Sequence, residues 1–128
     1  MENKSKSILV AVSDIFFYTK IRDALRQDYA LDRVRGLHEI AQKATGEPPF
    51  AVILNLNEDT FDAFEAVTKI KDQDSLKAVP ILAFANHEEV DAWKRAKELG
   101  VNKVVSRNEF SSRMRALVQE LIGPENQS

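Results

Sequence analysis

The chain is written in short apolar runs separated by amphipathic stretches. Ser7 to Val12 (SILVAV) is a β-branched apolar run and predicts a buried strand. Phe17, Ile21, Ala24 and Leu25 then fall on one helical stripe, with Arg22, Asp23, Arg26 and Gln27 on the wet side and Ser13 or Asp14 as the cap. Ala30 to Val34 predicts a weaker strand, placed at a sheet edge by Arg33 and Arg35 and ended by Gly36. Leu37, Ile40, Ala41 and Ala44 predict a short helix, stopped by Gly46-Glu47-Pro48-Pro49. Ala51 to Leu54 is an unbroken apolar run that opens into Asn55-Leu56-Asn57-Glu58-Asp59-Thr60, and predicts a strand buried on both faces.

The second half repeats the alternation. A helix is expected over Phe61 to Asp72, with Phe64, Val67 and Ile70 inward. A strand is expected over Pro80 to Phe84, since proline is tolerated at the first strand position. Glu88 to Leu99 predicts a helix with Ala92, Ala96 and Leu99 facing in and Gly100 as terminator. Lys103 to Val105 predicts a short strand. The last helix is expected to start from Asn108 as N-cap, carry Phe110, Met114, Leu117, Val118 and Leu121 inward, and stop at Gly123-Pro124. Five strands alternating with five helices predict an α/β fold: one parallel sheet, doubly wound, of order 2-1-3-4-5. One domain is expected across residues 1–128, with its core over about 7–122 and Pro124 to Ser128 frayed.

Composition narrows the chemistry. A net charge of −2 provides no overall basic footprint for nucleic acid or an anionic membrane. The absence of cysteine removes thiol catalysis, disulfides and cysteine-held zinc. His38 and His87 have no metal-ligand spacing; His38 reads as a surface helix residue. The expected setting is cytoplasmic. In open α/β sheets the chemistry sits at the C-terminal strand ends, which puts Asn55 where an active residue would stand.

Three stretches carry a resemblance: NLNEDTFDAFE from Asn55 to Glu65, IKDQDSLKAVPILAFANH from Ile70 to His87, and Glu98-Leu99-Gly100-Val101-Asn102. In order and spacing they resemble the response-regulator receiver domain of two-component signalling, over Ser7 to Leu121. The resemblance implies phosphoryl transfer to an aspartate after strand three. It implies Mg²⁺ held by that aspartate and an acidic pair after strand one, a Thr or Ser after strand four, an aromatic switch residue in strand five and a Lys after it. This sequence departs at each position. The phosphoacceptor position is Asn55, the acidic pair aligns with Val12 and Ser13, and Asp14 follows one residue later. The hydroxyl position is Ala85, the switch position is Val104, and the Lys position is Arg107, followed by Asn108 where the family usually has Pro. His87 stands where the family often has a histidine without catalytic duty.

The resemblance therefore implies a degenerate receiver, a pseudo-receiver that is not an enzyme, uses no cofactor and no metal, and works by protein–protein interaction. Expected partners are a histidine kinase, a phosphotransfer protein, another regulator or a second copy through the face of helix 4, strand 5 and helix 5. Two other readings stay open. Asp14 or a neighbour could still accept phosphoryl groups or bind metal, or the vacated pocket could serve a small ligand. The loop Asn57-Glu58-Asp59 has the oxygens to hold a cation weakly but reads as solvated, and Asp14 also suits a helix N-terminus. Arg107 is expected to reach Asp14 or the Asn55 carbonyl and close the neutral site formed by Val12, Ser13 and Asn55. Phe16, Tyr18 and Trp93 are the interface candidates. Phe16-Phe17-Tyr18 span too wide a helical arc to share one face, and Trp93 reads equally as an interface anchor or as packing on its own domain.

Overall fold

A computed structural model describes residues 6–43 and 47–123. The five strands are β1 (Ser7–Ala11), β2 (Ala30–Val34), β3 (Ala51–Asn55), β4 (Ile81–Ala85) and β5 (Lys103–Ser106). They alternate with α1 (Ile15–Leu25), α2 (Leu37–Lys43), α3 (Ala63–Asp72), α4 (Val90–Glu98) and α5 (Arg107–Ile122). The sheet has the order β2-β1-β3-β4-β5, with each neighbouring pair parallel.

Side-chain alternation along the strands sorts the core into two layers. Leu9, Ala11, Val52, Leu54, Ala83, Ala85 and Val104 pack on α2, α3 and α4. Ile8, Val10, Val12, Ile53, Phe84 and Val105 pack on α1 and α5. β3 and β4 are buried along their whole length, as their unbroken apolar runs require. β2 is the outer strand and is buried only at Val34.

Helix boundaries differ locally from the sequence reading. α3 starts two residues later than expected because Asp62 accepts from the Phe64 and Glu65 N–H groups and caps it. Asn108 lies inside α5; the cap is Ser106, whose Oγ accepts from the Glu109 N–H at 3.0 Å. Either residue type can cap a helix, and capping from Ser106 lets β5 run directly into α5. Ile122 is buried where Leu121 was expected, with Leu121 only partly so. Ala41 is exposed, while Ala92 and Leu99 are half-buried. Gly100 has φ +104°, a conformation that costs a side-chain-bearing residue free energy, and it ends the α4 turn as expected. The expectations for Ala44, Gly46 and Pro124 to Ser128 fall outside the described residues.

Candidate functional site

The C-terminal ends of β1 and β3 place Ser13 and Asn55 in one pocket of about 200 Å³, lined also by Asp14, Asn57, Glu58, Asp59 and Arg107. Asn55 is the last residue of β3 and is 7% exposed, a buried polar side chain that must find partners. Its Nδ2 donates to Glu58 Oε2 at 3.2 Å, and its Oδ1 accepts from the Asn57 N–H at 3.0 Å. Ser13 donates twice to the same carboxylate: its N–H to Oε2 at 2.8 Å and its Oγ–H to Oε1 at 2.6 Å. Thr60 Oγ donates to Oε1 at 3.2 Å.

Glu58 is therefore not a solvated loop residue, as the sequence reading had it. Its charge is met by four donors, two of them from a residue 45 positions away. Charge-assisted hydrogen bonds of this kind are individually stronger than neutral ones, each worth up to about 1.5–3 kcal/mol. A site that gathered several carboxylates would repel itself without a cation; here one carboxylate is matched by donors.

Arg107 does not close the site in the expected way. Its guanidinium lies 4.2 Å from the Phe17 ring centroid and 5.6 Å from that of Phe84. Among the described residues it makes no hydrogen bond to Asp14 or Asn55. The physical reason is an aromatic floor: Phe17, Phe84 and Phe110 are mutually packed, with Phe84 and Phe110 stacked at 4.5 Å, and a flat, weakly hydrated guanidinium lies well on such a surface.

Val12 is also displaced from its expected place. It is fully buried in the layer beneath α1 and α5 and does not line the pocket. Ala85 and Val104 are buried in the opposite layer with α3 and α4. Asp14 accepts from the Phe16 and Phe17 N–H groups at 2.9 and 3.3 Å, so its carboxylate caps α1.

One site residue escaped the sequence reading altogether. Arg33 of β2 reaches over the end of β1, donating from Nε to the Val12 carbonyl at 3.3 Å and from its terminal nitrogen to the Ser13 carbonyl. Its guanidinium also lies 5.4 Å from the Tyr18 ring. Its position opposite Val10 in the β1–β2 register aims it along the edge.

The interface candidates separate. Phe16 is 82% exposed, and its neighbour Ile15 is 49% exposed. Tyr18 is half-buried under Arg33. Trp93 is half-buried, packs on the core and donates its indole N–H to the Asn86 carbonyl at 3.1 Å, which matches the reading of a tryptophan serving its own domain. His38 and His87 are exposed; His87 shares a small cleft with Asn86, Ser106, Arg107 and Asn108.

The donor chemistry does not fit Mg²⁺. A hard dication needs several free oxygen ligands, whereas Ser13 and Asn55 point N–H and O–H groups inward, Glu58 is engaged by them, and Asp14 caps a helix. Among the described residues no group of three His, Asp or Glu side chains is placed to hold a metal ion.

A five-stranded parallel sheet of this order, doubly wound and with its polar pocket at the β1 and β3 ends, defines the flavodoxin-like class. Within that class the chain is similar to the receiver domain of a sensor histidine kinase from Pseudomonas aeruginosa PAO1, solved with magnesium coordinated in its active-site cleft. The identity is 19%, the match covers 94% of this chain and 100% of that one, and the TM-score is 0.81. It is similar to the phosphorylated cyanobacterial phytochrome response regulator RcpA (21% identity, 91% of each chain, TM-score 0.75). It is also similar to the chemotaxis protein CheY4 of Vibrio cholerae (16% identity, 92% of this chain and 99% of that one, TM-score 0.81). No family model and no curated protein matches the sequence. These likenesses establish that the chain has the fold of receiver domains. No helix among the described residues is long and apolar enough to cross a membrane.

Proposed function

We propose that this chain is a pseudo-receiver: a signalling domain of a two-component or phosphorelay system that accepts no phosphoryl group and acts by protein–protein interaction, without catalysis. One observation carries the reading. At the position that resembles the phosphoacceptor stands an amide, Asn55, whose two polar atoms are both occupied, one of them by the Glu58 carboxylate. An amide is no nucleophile toward phosphorus, and a carboxylate 3.2 Å away repels an incoming phosphoryl oxygen. The N-cap role of Asp14 counts against its serving as a substitute acceptor, because its oxygen is held by two backbone N–H groups.

The partner reading rests on the exposed apolar start of α1, Ile15 and Phe16. A large exposed aromatic beside an aliphatic residue suits an anchor for another signalling protein, whether kinase, phosphotransfer protein or regulator. The test is titration with Mg²⁺ and beryllofluoride, a phosphoryl mimic, followed by amide NMR. The expected result is no shift at Ser13, Asn55 or Glu58 up to millimolar Mg²⁺. Saturable shifts at those residues would refute the proposal and restore a working phosphorylation site.

A further inference from the structure

In receivers, the resemblance implies, a hydroxyl after β4 holds phosphoryl oxygens and a switch aromatic stands in β5. Here those positions are Ala85 and Val104, both buried and without a polar atom to offer. A connection is built from amides instead. Asn57 is held at its own N–H by Asn55 Oδ1. Its side chain then uses both ends: Oδ1 accepts from the Asn86 N–H at 3.0 Å, and Nδ2 donates to Glu89 Oε1 at 2.8 Å. Asn86 in turn presents its carbonyl to the Trp93 indole N–H at 3.1 Å and to the Glu89 N–H at 3.1 Å. The hydrogen bonds run without a gap from Ser13 through Glu58, Asn55, Asn57 and Asn86 to Trp93.

We propose that Asn57 is a positioning residue that carries the arrangement of the Ser13–Asn55–Glu58 pocket to the β4–α4 loop, so that Trp93 on α4 reports the state of Glu58. The geometry favours Asn57 in this part. It is the residue that joins the β3–α3 loop to the β4–α4 loop by side-chain hydrogen bonds at both of its polar atoms. The loop from Asn86 to Glu89 is exposed throughout, so little apolar burial would hold it in place without these bonds. Val90, the first residue of α4, is 67% exposed, and the surface it belongs to is therefore set by the loop that Asn57 fixes.

The test uses the chain alone, with no partner and no phosphoryl donor, so its failure leaves the proposed function untouched. Trp93 is the sole tryptophan, and its indole N–H has its own NMR resonance. Asn57→Ala is expected to shift that resonance and to speed amide exchange over residues 86–93 by roughly fivefold or more, since two side-chain hydrogen bonds to that loop are lost. Ser13→Ala, which removes a donor to Glu58 and touches nothing on α4, is expected to move the indole resonance in the same direction by a smaller amount. Glu58→Gln serves as the isosteric second variant should Ser13→Ala fail to fold. Thr68→Ala, which deletes an exposed hydroxyl bonded to the Phe64 carbonyl, is the control expected to leave Trp93 unchanged. An indole resonance that stays at the wild-type position in Asn57→Ala, or in both pocket variants, would overturn the proposal: the two loops would then be separate polar clusters.

Discussion

The two sides of the sheet's C-terminal edge are built by opposite physics. On the β1–β3 side, Ser13, Asn55 and Glu58 are joined by hydrogen bonds to a single charge. On the β4–β5 side, Ala85 and Val104 are buried apolar groups, and Arg107 lies over the Phe17 and Phe84 rings with no carboxylate partner among the described residues. The first closure is directional and local: each partner has one correct position, and a vacancy leaves a buried polar atom unsatisfied. The second depends on shape and area, and tolerates small shifts of the cation over the rings. Where a strand position is fully enclosed, an apolar side chain fills it at little polar risk. Where a strand end meets solvent, a matched polar cluster is the cheaper solution.

The comparison is broken most severely from the aromatic side. Phe84 is fully buried and touches both Phe17 and Phe110, so Phe84→Ala is expected to cost about 3–5 kcal/mol in urea denaturation and to release Arg107 as well. Glu58→Ala is expected to cost less, about 1–3 kcal/mol, because Ser13 and Asn55 lose an acceptor that water can partly replace at a half-open pocket. The same experiment sharpens the contrast if amide exchange speeds up only at the β1–α1 and β3–α3 loops, with the Phe84–Phe110 region unaffected. Arg107→Ala is the mildest change. It is expected to cost about 0.5–2 kcal/mol through the lost ring contact, with the Ser13, Asn55 and Glu58 amide resonances keeping their positions. A large movement of those three resonances would show that Arg107 belongs to the polar half after all.

The strands were legible because their evidence is local. Ala51 to Leu54 and Ile81 to Phe84 are unbroken apolar runs, and burial on both faces is the only good use for them. The strand order and the position of Asn55 at the end of β3 followed from the alternation of elements. The role of Glu58 was not legible, because its partner Ser13 lies 45 residues away and no periodicity marks a long-range polar pair. A signal did exist in retrospect: Ser13 and Asn55 are both donors, and Glu58 is the carboxylate three residues past Asn55. Arg33 was missed for a related reason. A charge on an edge strand satisfies the expectation of a solvated edge, and only the register shows that it can reach back over Val12 and Ser13. The Ser106 cap was a matter of two residues, and Asn108 has equal capping chemistry.

The bond between Asn55 and Glu58 bears on which residues position 55 can accept. Asn55→Asp would set a new carboxylate against the Glu58 carboxylate at the 3.2 Å now spanned by an amide donor. Ser13, already committed to Glu58, would supply no acidic oxygen to help recruit a neutralising cation. Aspartate would thus be unfavourable at position 55 in the present background unless Glu58 were changed first. The amide and the glutamate are a matched pair, in which the order of two substitutions decides whether the intermediate is tolerated.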